Sequence, residues 1–153
     1  ERAAPEDQLD FVLHLGDFIY EVVWYPEDRK TRYDRTIYEV ARIPDGEKVA
    51  DFHIPLTVDG YRAIYRGYLH DPDLQDARAR WPFVAMWDNH EFSWQGWQSI
   101  VKAGAYERPG QTVKVAANQA WFEYIPARAS KPSVCESVAS SSPCRSSWNS
   151  ARR

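Results

Sequence analysis

Two short stretches decide the fold of this chain: "HLGDFIY" at His14–Tyr20 and "MWDNHEF" at Met86–Phe92. Each begins as part of an apolar run and ends in carboxylate, amide, imidazole or phenol groups. Short apolar runs that stop at Gly or Asp are typical of buried strands. We therefore predict strands at Phe11–Leu15 and Phe83–Trp87, apolar on both faces apart from one histidine, as in the middle of a covered sheet.

A helical connection is predicted between these two strands. Apolar residues recur at helical spacing at Tyr61, Ile64, Tyr65, Tyr68 and Leu69. Thr57 or Asp59 can cap this helix, and Asp71 followed by Pro72 begins a second one that runs to about Arg80. A strand–helix–strand unit makes the two strands parallel, so that their carboxyl ends lie at the same edge of an α/β sheet.

The segments outside this unit are less regular. The stretch from Val22 to Pro55 is polar and without period, which predicts an excursion or lid with a short strand near Ile37–Arg42. Residues 93–100, "SWQGWQSI", indicate a turn or short helix. A further helix is predicted after this, capped by Thr112 and ended by Pro126.

Composition narrows the class of protein. The chain has 153 residues, 44% of them hydrophobic, and a net charge of −3, so it has no basic patch for nucleic acid. No apolar run reaches the ~20 residues that a membrane-spanning helix needs. The chain opens with Glu1 and shows no basic-then-apolar leader.

After Lys131 the composition becomes rich in Ser and Arg, so residues 134–153 are expected to be either disordered or frameshifted, with Cys135 and Cys144 exposed.

The polar groups at the two strand ends predict a metal site. Metals and ligands gather at the carboxyl ends of parallel strands, where Asp17 and Tyr20 can meet Asn89 and His90. Carboxylate, amide and phenolate oxygens suit hard cations, and a histidine can complete such a shell. A lone Gly-Asp is usually a turn and a lone Asn-His is usually a loop pair, but their joint position at two strand ends favours a site.

These same stretches carry a family resemblance. "DFVLHLGDFIYE" resembles the G-D-x-x-Y-E block of the alkaline phosphatase D family, and "WPFVAMWDNHEF" resembles its W-D-[DN]-H-E block. Two further segments, "YRAIYRGYLHDPDLQDARARWPF" and "NQAWFEYIPAR", are similar to the family's helices. The resemblance covers Asp10–Ser133 and implies a fragment of the calcineurin-like metallophosphoesterase fold, a layered βαβ sheet with flanking helices. Residues 1–133 would form this partial domain.

The resemblance also assigns roles to residues. Asp17 would bridge two metals, Tyr20 would be a terminal ligand of iron, and Asn89 would bind the second metal. His90 would be the catalytic proton or hydrogen-bond donor beside the phosphate. Three acidic residues would orient these groups: Glu21, Asp88 and Glu91. Phe18 stands where some relatives have Arg or Tyr, which removes one contact to phosphate.

The function implied is that of a metal-dependent phosphoric ester hydrolase of alkaline phosphatase or phosphodiesterase type. A two-metal centre of iron and calcium would activate a hydroxide for attack on a phosphate mono- or diester, in a periplasmic or secreted protein. Aromatic residues of the excursion would line the pocket. The family's other ligand blocks do not occur in this chain, and His14, His53 and His70 do not replace them. The centre is therefore expected to be incomplete, and the oligomeric state is not indicated.

Two other interpretations remain open. The chain by itself can be an inactive remnant whose half-site binds one metal weakly. An aromatic sugar-binding module is the other alternative, suggested by Trp24, Trp94 and Trp97. This module would present its aromatic rings in an exposed row, and it would leave the polar strand ends unexplained.

Overall fold

The structure, a computed structural model, describes residues 9–92 and 100–126. The strands are β1 (Val12–His14), β2 (Thr31–Arg32), β3 (Arg35–Thr36), β4 (Glu47–Val49), β5 (Phe52–Ile54), β6 (Phe83–Ala85), β7 (Ile100–Ala103) and β8 (Tyr106–Pro109). The helices are α1 (Val58–Leu69), α2 (Pro72–Arg80) and α3 (Gln111–Tyr124), with a 3-10 turn at His90–Phe92.

The predicted parallel strand pair is present. β1 and β6 are hydrogen-bonded in parallel, with Val12 opposite Phe83 and His14 opposite Ala85. The helices α1 and α2 connect them, which confirms the α/β class and the crossover. Burial on both faces was wrong, since Leu13 is 56% and Val84 54% exposed. One face of the pair is half-buried, and the other face is exposed.

The first two helices begin where the sequence predicted. Thr57 caps α1 by accepting a hydrogen bond from the Gly60 amide at 3.1 Å, and Asp71 caps α2 by accepting one from the Leu74 amide at 2.9 Å. The cap predicted at Thr112 was wrong. The helix α3 begins at Gln111, with Gly110 as the capping residue and no side-chain cap. Thr112 therefore lies inside the first turn.

The core forms where α1 packs against α3 and the segment after β1. Its fully buried members include Ile19, Ile64, Ala117 and Ala120. Tyr65 stacks on Tyr124 with ring centroids 5.3 Å apart. Burying side chains of Ile size stabilises the fold by ~1.5–3 kcal/mol each, so this interface holds the segment after β1 in place.

The excursion contains two antiparallel hairpins, β2–β3 and β4–β5. The second hairpin is joined to the body by a bridge between Val23 and His53, whose backbone groups exchange hydrogen bonds of 2.9 and 2.7 Å. The strand predicted near Ile37–Arg42 was wrong, since no regular element forms there. That stretch is instead anchored from its end, where the Ile43 amide donates to the Tyr25 hydroxyl at 3.0 Å.

Other sequence expectations fall outside the described residues. These are the turn over most of residues 93–100 and the state of residues 134–153 with both cysteines. The hairpin β7–β8, which follows the first of these, was not predicted from the sequence.

Among the described helices, none has the length and apolar character needed to cross a bilayer.

Gly67 marks the contact between α1 and the excursion. A Cβ at this position would overlap the Val40 carbonyl oxygen and lie 3.0 Å from the Ala41 Cβ. Gly67→Ala should therefore lower the free energy of unfolding by about 1–2 kcal/mol, because overpacking outweighs the ~1 kcal/mol gain in helix propensity. Urea unfolding followed by circular dichroism measures this. Asp76→Ala, on the exposed side of α2, is the control, and a stabilised Gly67→Ala variant would contradict the contact.

Candidate active site

The turn after β1 allows two loops to approach closely. Gly16 has φ = 102° and Asp17 has φ = 54°, both in the left-handed region. A Cβ at Gly16 would lie 2.5 Å from the Asp88 Cβ and 2.7 Å from its amide nitrogen. Only glycine fits this position, and Asp is among the few other residues that adopt such a φ without large cost. The sequence Gly-Asp is therefore what brings the two strand ends together.

The buried carboxylate of Glu91 joins the two loops. It is fully buried, and its two oxygens accept hydrogen bonds from four backbone amides. Oε2 accepts from Asp17 at 3.0 Å and from Asp88 at 2.7 Å, while Oε1 accepts from Phe18 and, at 3.4 Å, from Ile19. A buried carboxylate is costly unless its oxygens are hydrogen-bonded, and charge-assisted bonds of this kind are strong. Glu91 thus fixes the position of the Asp17 loop relative to the loop after β6.

Three of the predicted site residues contact one another next to the loops that Glu91 joins. The Tyr20 hydroxyl donates to Asp17 Oδ2 at 3.3 Å, and the His90 amide donates to Asp17 Oδ1 at 3.3 Å. The Tyr20 and His90 rings lie with centroids 4.1 Å apart. The Tyr20 amide is held in turn by the Tyr68 hydroxyl of α1 at 3.2 Å. The structure therefore brings Asp17, Tyr20 and His90 to one place, while their chemical roles stay predictions.

A second buried carboxylate orients the His90 ring. Glu21 is 2% exposed, and its Oε2 lies 2.6 Å from His90 Nδ1. Burial disfavours the imidazolium, but the Glu21 hydrogen bond and the charges of Glu21, Asp17 and Glu91 outweigh it and raise the pKa of His90. Burial in turn raises the pKa of Glu21, so the pair holds a proton between its carboxylate and the imidazole more readily than either group would alone. Because Nδ1 faces Glu21, any proton donation toward a ligand falls to Nε2.

Asn89 and Asp88 lie in the same turn. The Asn89 carbonyl accepts from the Phe92 amide at 3.2 Å and so starts the 3-10 turn. Within residues 9–92 and 100–126, the Asn89 side-chain amide makes no hydrogen bond. Asp88 contributes its backbone amide to Glu91, and its side chain is exposed. The ligand role of Asn89 and the orienting role of Asp88 stay predictions.

The donor set fits part of a site for a hard cation. Two oxygens of Asp17 and Tyr20 lie 3.3 Å apart, close to the spacing of two neighbouring oxygens on one cation at bonds of ~2.0–2.6 Å. Burial and the charge of Asp17 raise the pKa of the Tyr20 phenol, so only a strongly polarising ion would ionise it. Among the described residues no group of three His, Cys, Asp or Glu side chains surrounds a common point.

An open cleft of about 380 Å³ lies beside these groups. Its lining residues are Tyr20, Val22, Trp24, Arg29, Arg32, Asp51, Phe52 and His90. Trp24 and Phe52 come from the excursion, as expected. The charged lining residues Arg29, Arg32 and Asp51 were not singled out in the sequence, where nothing separates them from the other charges of the excursion.

Two residues noted in the sequence do not reach this cleft. Phe18 is 5% exposed and packs inward, edge-on to His14 at a centroid distance of 5.2 Å. Phe18 is therefore not among the residues that line the cleft. His53 lies in β5 against Tyr25, with ring centroids 4.2 Å apart, and His70 caps the end of α1.

Replacing Glu91 by Gln tests whether the hydrogen bonds that its carboxylate accepts hold the two loops together. We call this set of four hydrogen bonds the Glu91 clamp. The side-chain NH₂ that this change introduces would face two backbone N–H donors, so Glu91→Gln should cost about 2–4 kcal/mol of unfolding free energy. Denaturant unfolding measures the loss, and amide hydrogen exchange should accelerate at Asp17 and Asp88. Glu107→Gln, which removes an exposed partner of Lys102, is the matched control and should change stability by less than ~1 kcal/mol. Equal stability of the two variants would exclude the clamp.

Comparisons with known proteins show the family to which the chain is similar. The model of the family described as PhoD-like phosphatase matches residues 1–142. Over 125 residues the chain is 32% identical to a protein named alkaline phosphatase D from Bacillus subtilis (strain 168), and the match covers 82% of the chain and 19% of that protein. The chain therefore spans about a fifth of the length of this curated relative. No solved structure is significantly similar.

Proposed function

The chain belongs to the PhoD-like phosphatase family, and from this premise we propose that its two polar strand ends form part of a metal-dependent phosphoric ester hydrolase centre. One observation carries the proposal. Asp17 and Tyr20 follow β1, His90 follows β6, and hydrogen bonds of 3.3 Å join all three at one edge of the parallel pair. A turn that served only to end a strand would not require this convergence.

Each residue then has a separate task. Asp17 and Tyr20 would hold iron, and Asn89 would hold calcium as the second metal. These ions would supply Lewis-acid polarisation of the phosphoryl oxygens. His90 would donate a proton from Nε2 to the leaving oxygen, while Glu21 holds the ring from Nδ1. Glu91 would not touch the substrate, because its oxygens are taken up by four backbone amides.

The substrate proposed is a phosphate mono- or diester, and the proposed location is outside the cytoplasm. The sugar-binding alternative finds no support at Trp24, because the Arg32 guanidinium lies over this ring at 3.9 Å from its centroid. Trp94 and Trp97 lie outside the described residues. The inactive-remnant alternative is decided by metal titration and turnover of the chain.

Ferric iron tests the metal site without requiring turnover. Titration of the 153-residue chain with Fe³⁺ should produce the visible charge-transfer absorption of an iron–phenolate bond. Tyr20→Phe should abolish this band because it removes the phenol oxygen, and Asp17→Asn should weaken iron binding because it removes the negative charge of the carboxylate. Tyr33→Phe is the control, since Tyr33 is 83% exposed and does not line the cleft. A band that survives in Tyr20→Phe would refute the assignment.

Turnover tests the catalytic assignment. In a family polypeptide that joins this segment to the flanking ligand blocks, His90→Ala should lower kcat ~10²–10⁴-fold with the metal content preserved. Glu21→Gln should lower kcat ~10–100-fold by releasing the ring. The 153-residue chain alone, supplied with iron and calcium, should hydrolyse 4-nitrophenyl phosphate far more slowly, since calcium alone takes ~6–8 oxygens. Fast turnover by the chain that a chelator stops would show that no further ligands are needed.

A further inference from the structure

Arg32 stands out among the residues that line the cleft. It lies in β2, and its guanidinium is 3.9 Å from the centroid of the Trp24 ring and 4.9 Å from that of Tyr33. One of its nitrogens also donates to the Tyr33 hydroxyl at 3.4 Å. Two aromatic contacts of this kind restrict the side chain and keep the charge at the cleft wall. The cation is thereby held in place before any ligand arrives.

The charge of Arg32 is not neutralised by the described residues. Arg29 pairs with Asp51 at 2.9 Å, and Arg42 pairs with Glu39 at 2.6 Å and with Glu27. In the parts of the chain that the structure describes, Arg32 has no carboxylate partner. The flat face of the Arg32 guanidinium lies on the Trp24 ring. The N–H groups on its edge are therefore the ones available to an oxyanion. Two such N–H groups can bind two oxygens of one anion at the same time.

The charges that line the cleft favour binding of an anion beside Arg32. Arg29 and Arg32 line the cleft together with a single carboxylate, Asp51, and that carboxylate is already compensated by Arg29. Tyr20 and His90 line the same cleft. A volume of about 380 Å³ lies within the usual range of small-ligand sites of ~300–1,000 Å³. The cleft can therefore hold a small organic ester that reaches from His90 to Arg32.

We propose that Arg32, held on Trp24, binds a second anionic group carried by the leaving alcohol of the phosphoester. This inference rests on the proposed function, in which His90 gives a proton to the leaving oxygen. The leaving group then occupies the cleft that His90 lines, and Arg32 is the uncompensated cation that the described residues place in the same cleft. The preferred substrate class is an organic phosphate ester with a further phosphate group, rather than a simple alkyl monoester.

Two matched probes test this preference in the 153-residue chain with ferric iron and calcium supplied. Propyl phosphate carries one phosphate group, and propane-1,3-diyl bisphosphate carries two on the same carbon skeleton. Isothermal titration calorimetry should show about tenfold tighter binding of the bisphosphate, because one charge-assisted bidentate contact is worth roughly that factor. Arg32→Gln should remove the difference in affinity between the two probes.

Two further variants make the test specific. Arg35→Gln removes a guanidinium from the same hairpin that does not line the cleft, so the preference should persist in it. Arg32→Lys keeps the charge without the planar fork and should retain only part of the preference. Circular dichroism of each variant checks that the fold is kept.

The outcomes separate this inference from the proposed function. Equal affinity of the two probes in the wild-type chain, or a preference that survives Arg32→Gln, would overturn the role of Arg32 alone. Absence of bisphosphate binding would also overturn it. Binding of the bisphosphate that depends on Arg32, without any binding of propyl phosphate, would support the anion site and count against the proposed catalytic centre.

Discussion

The site depends on one interaction, the hydrogen bonds that the buried Glu91 carboxylate accepts from four backbone amides. Asp17 and Glu91 are 74 positions apart in the sequence, yet the carboxylate binds the loops after both strands at once. Its two oxygens bind in pairs, so a shift of either loop breaks at least one charge-assisted bond. The position of the Asp17 side chain is therefore tied to that of His90. This coupling adds to that of the strand pair, in which each strand has only three residues.

Both buried charged side chains in the described part of the chain serve this site. They are Glu21, 2% exposed, and Glu91. Burying a carboxylate is costly, and a protein that needed only stability would gain as much from an apolar residue of similar size. Here Glu91 positions the loops, and Glu21 orients the imidazole of His90. The two buried charges are thus concentrated around a single imidazole and a single aspartate, as is typical of functional sites.

The sequence predicted the parts of this fold that follow from local rules. The caps Thr57 and Asp71 and the pairing of β1 with β6 were right, because capping and helical spacing act over a few residues. The hairpins of the excursion were missed, since strands of two or three residues leave almost no period in the sequence. The start of α3 was also misplaced, because a polar residue in the first turn imitates a cap.

Some residues of the candidate site could likewise be predicted from the sequence, and others could not. Its strand-end residues could be predicted because parallel strands and two motifs place them, whereas Arg32 became visible only through its position over Trp24. For Glu91, the sequence predicted only that it orients the neighbouring site residues. That it accepts from four amides at once cannot be read from a sequence, since its partners are backbone groups and any residue type except proline supplies those. For the same reason, substitution at the partner positions would leave the clamp intact wherever the φ angles are kept.

The geometry at Asp17 indicates how a cation would enter without disturbing this framework. Asp17 Oδ1 is taken by the backbone amide of His90, while Oδ2 accepts from the Tyr20 hydroxyl. The proton of Tyr20 therefore occupies the place between two oxygens where a cation would lie. An ion that replaced this proton would gain both oxygens and leave the bond from His90 in place.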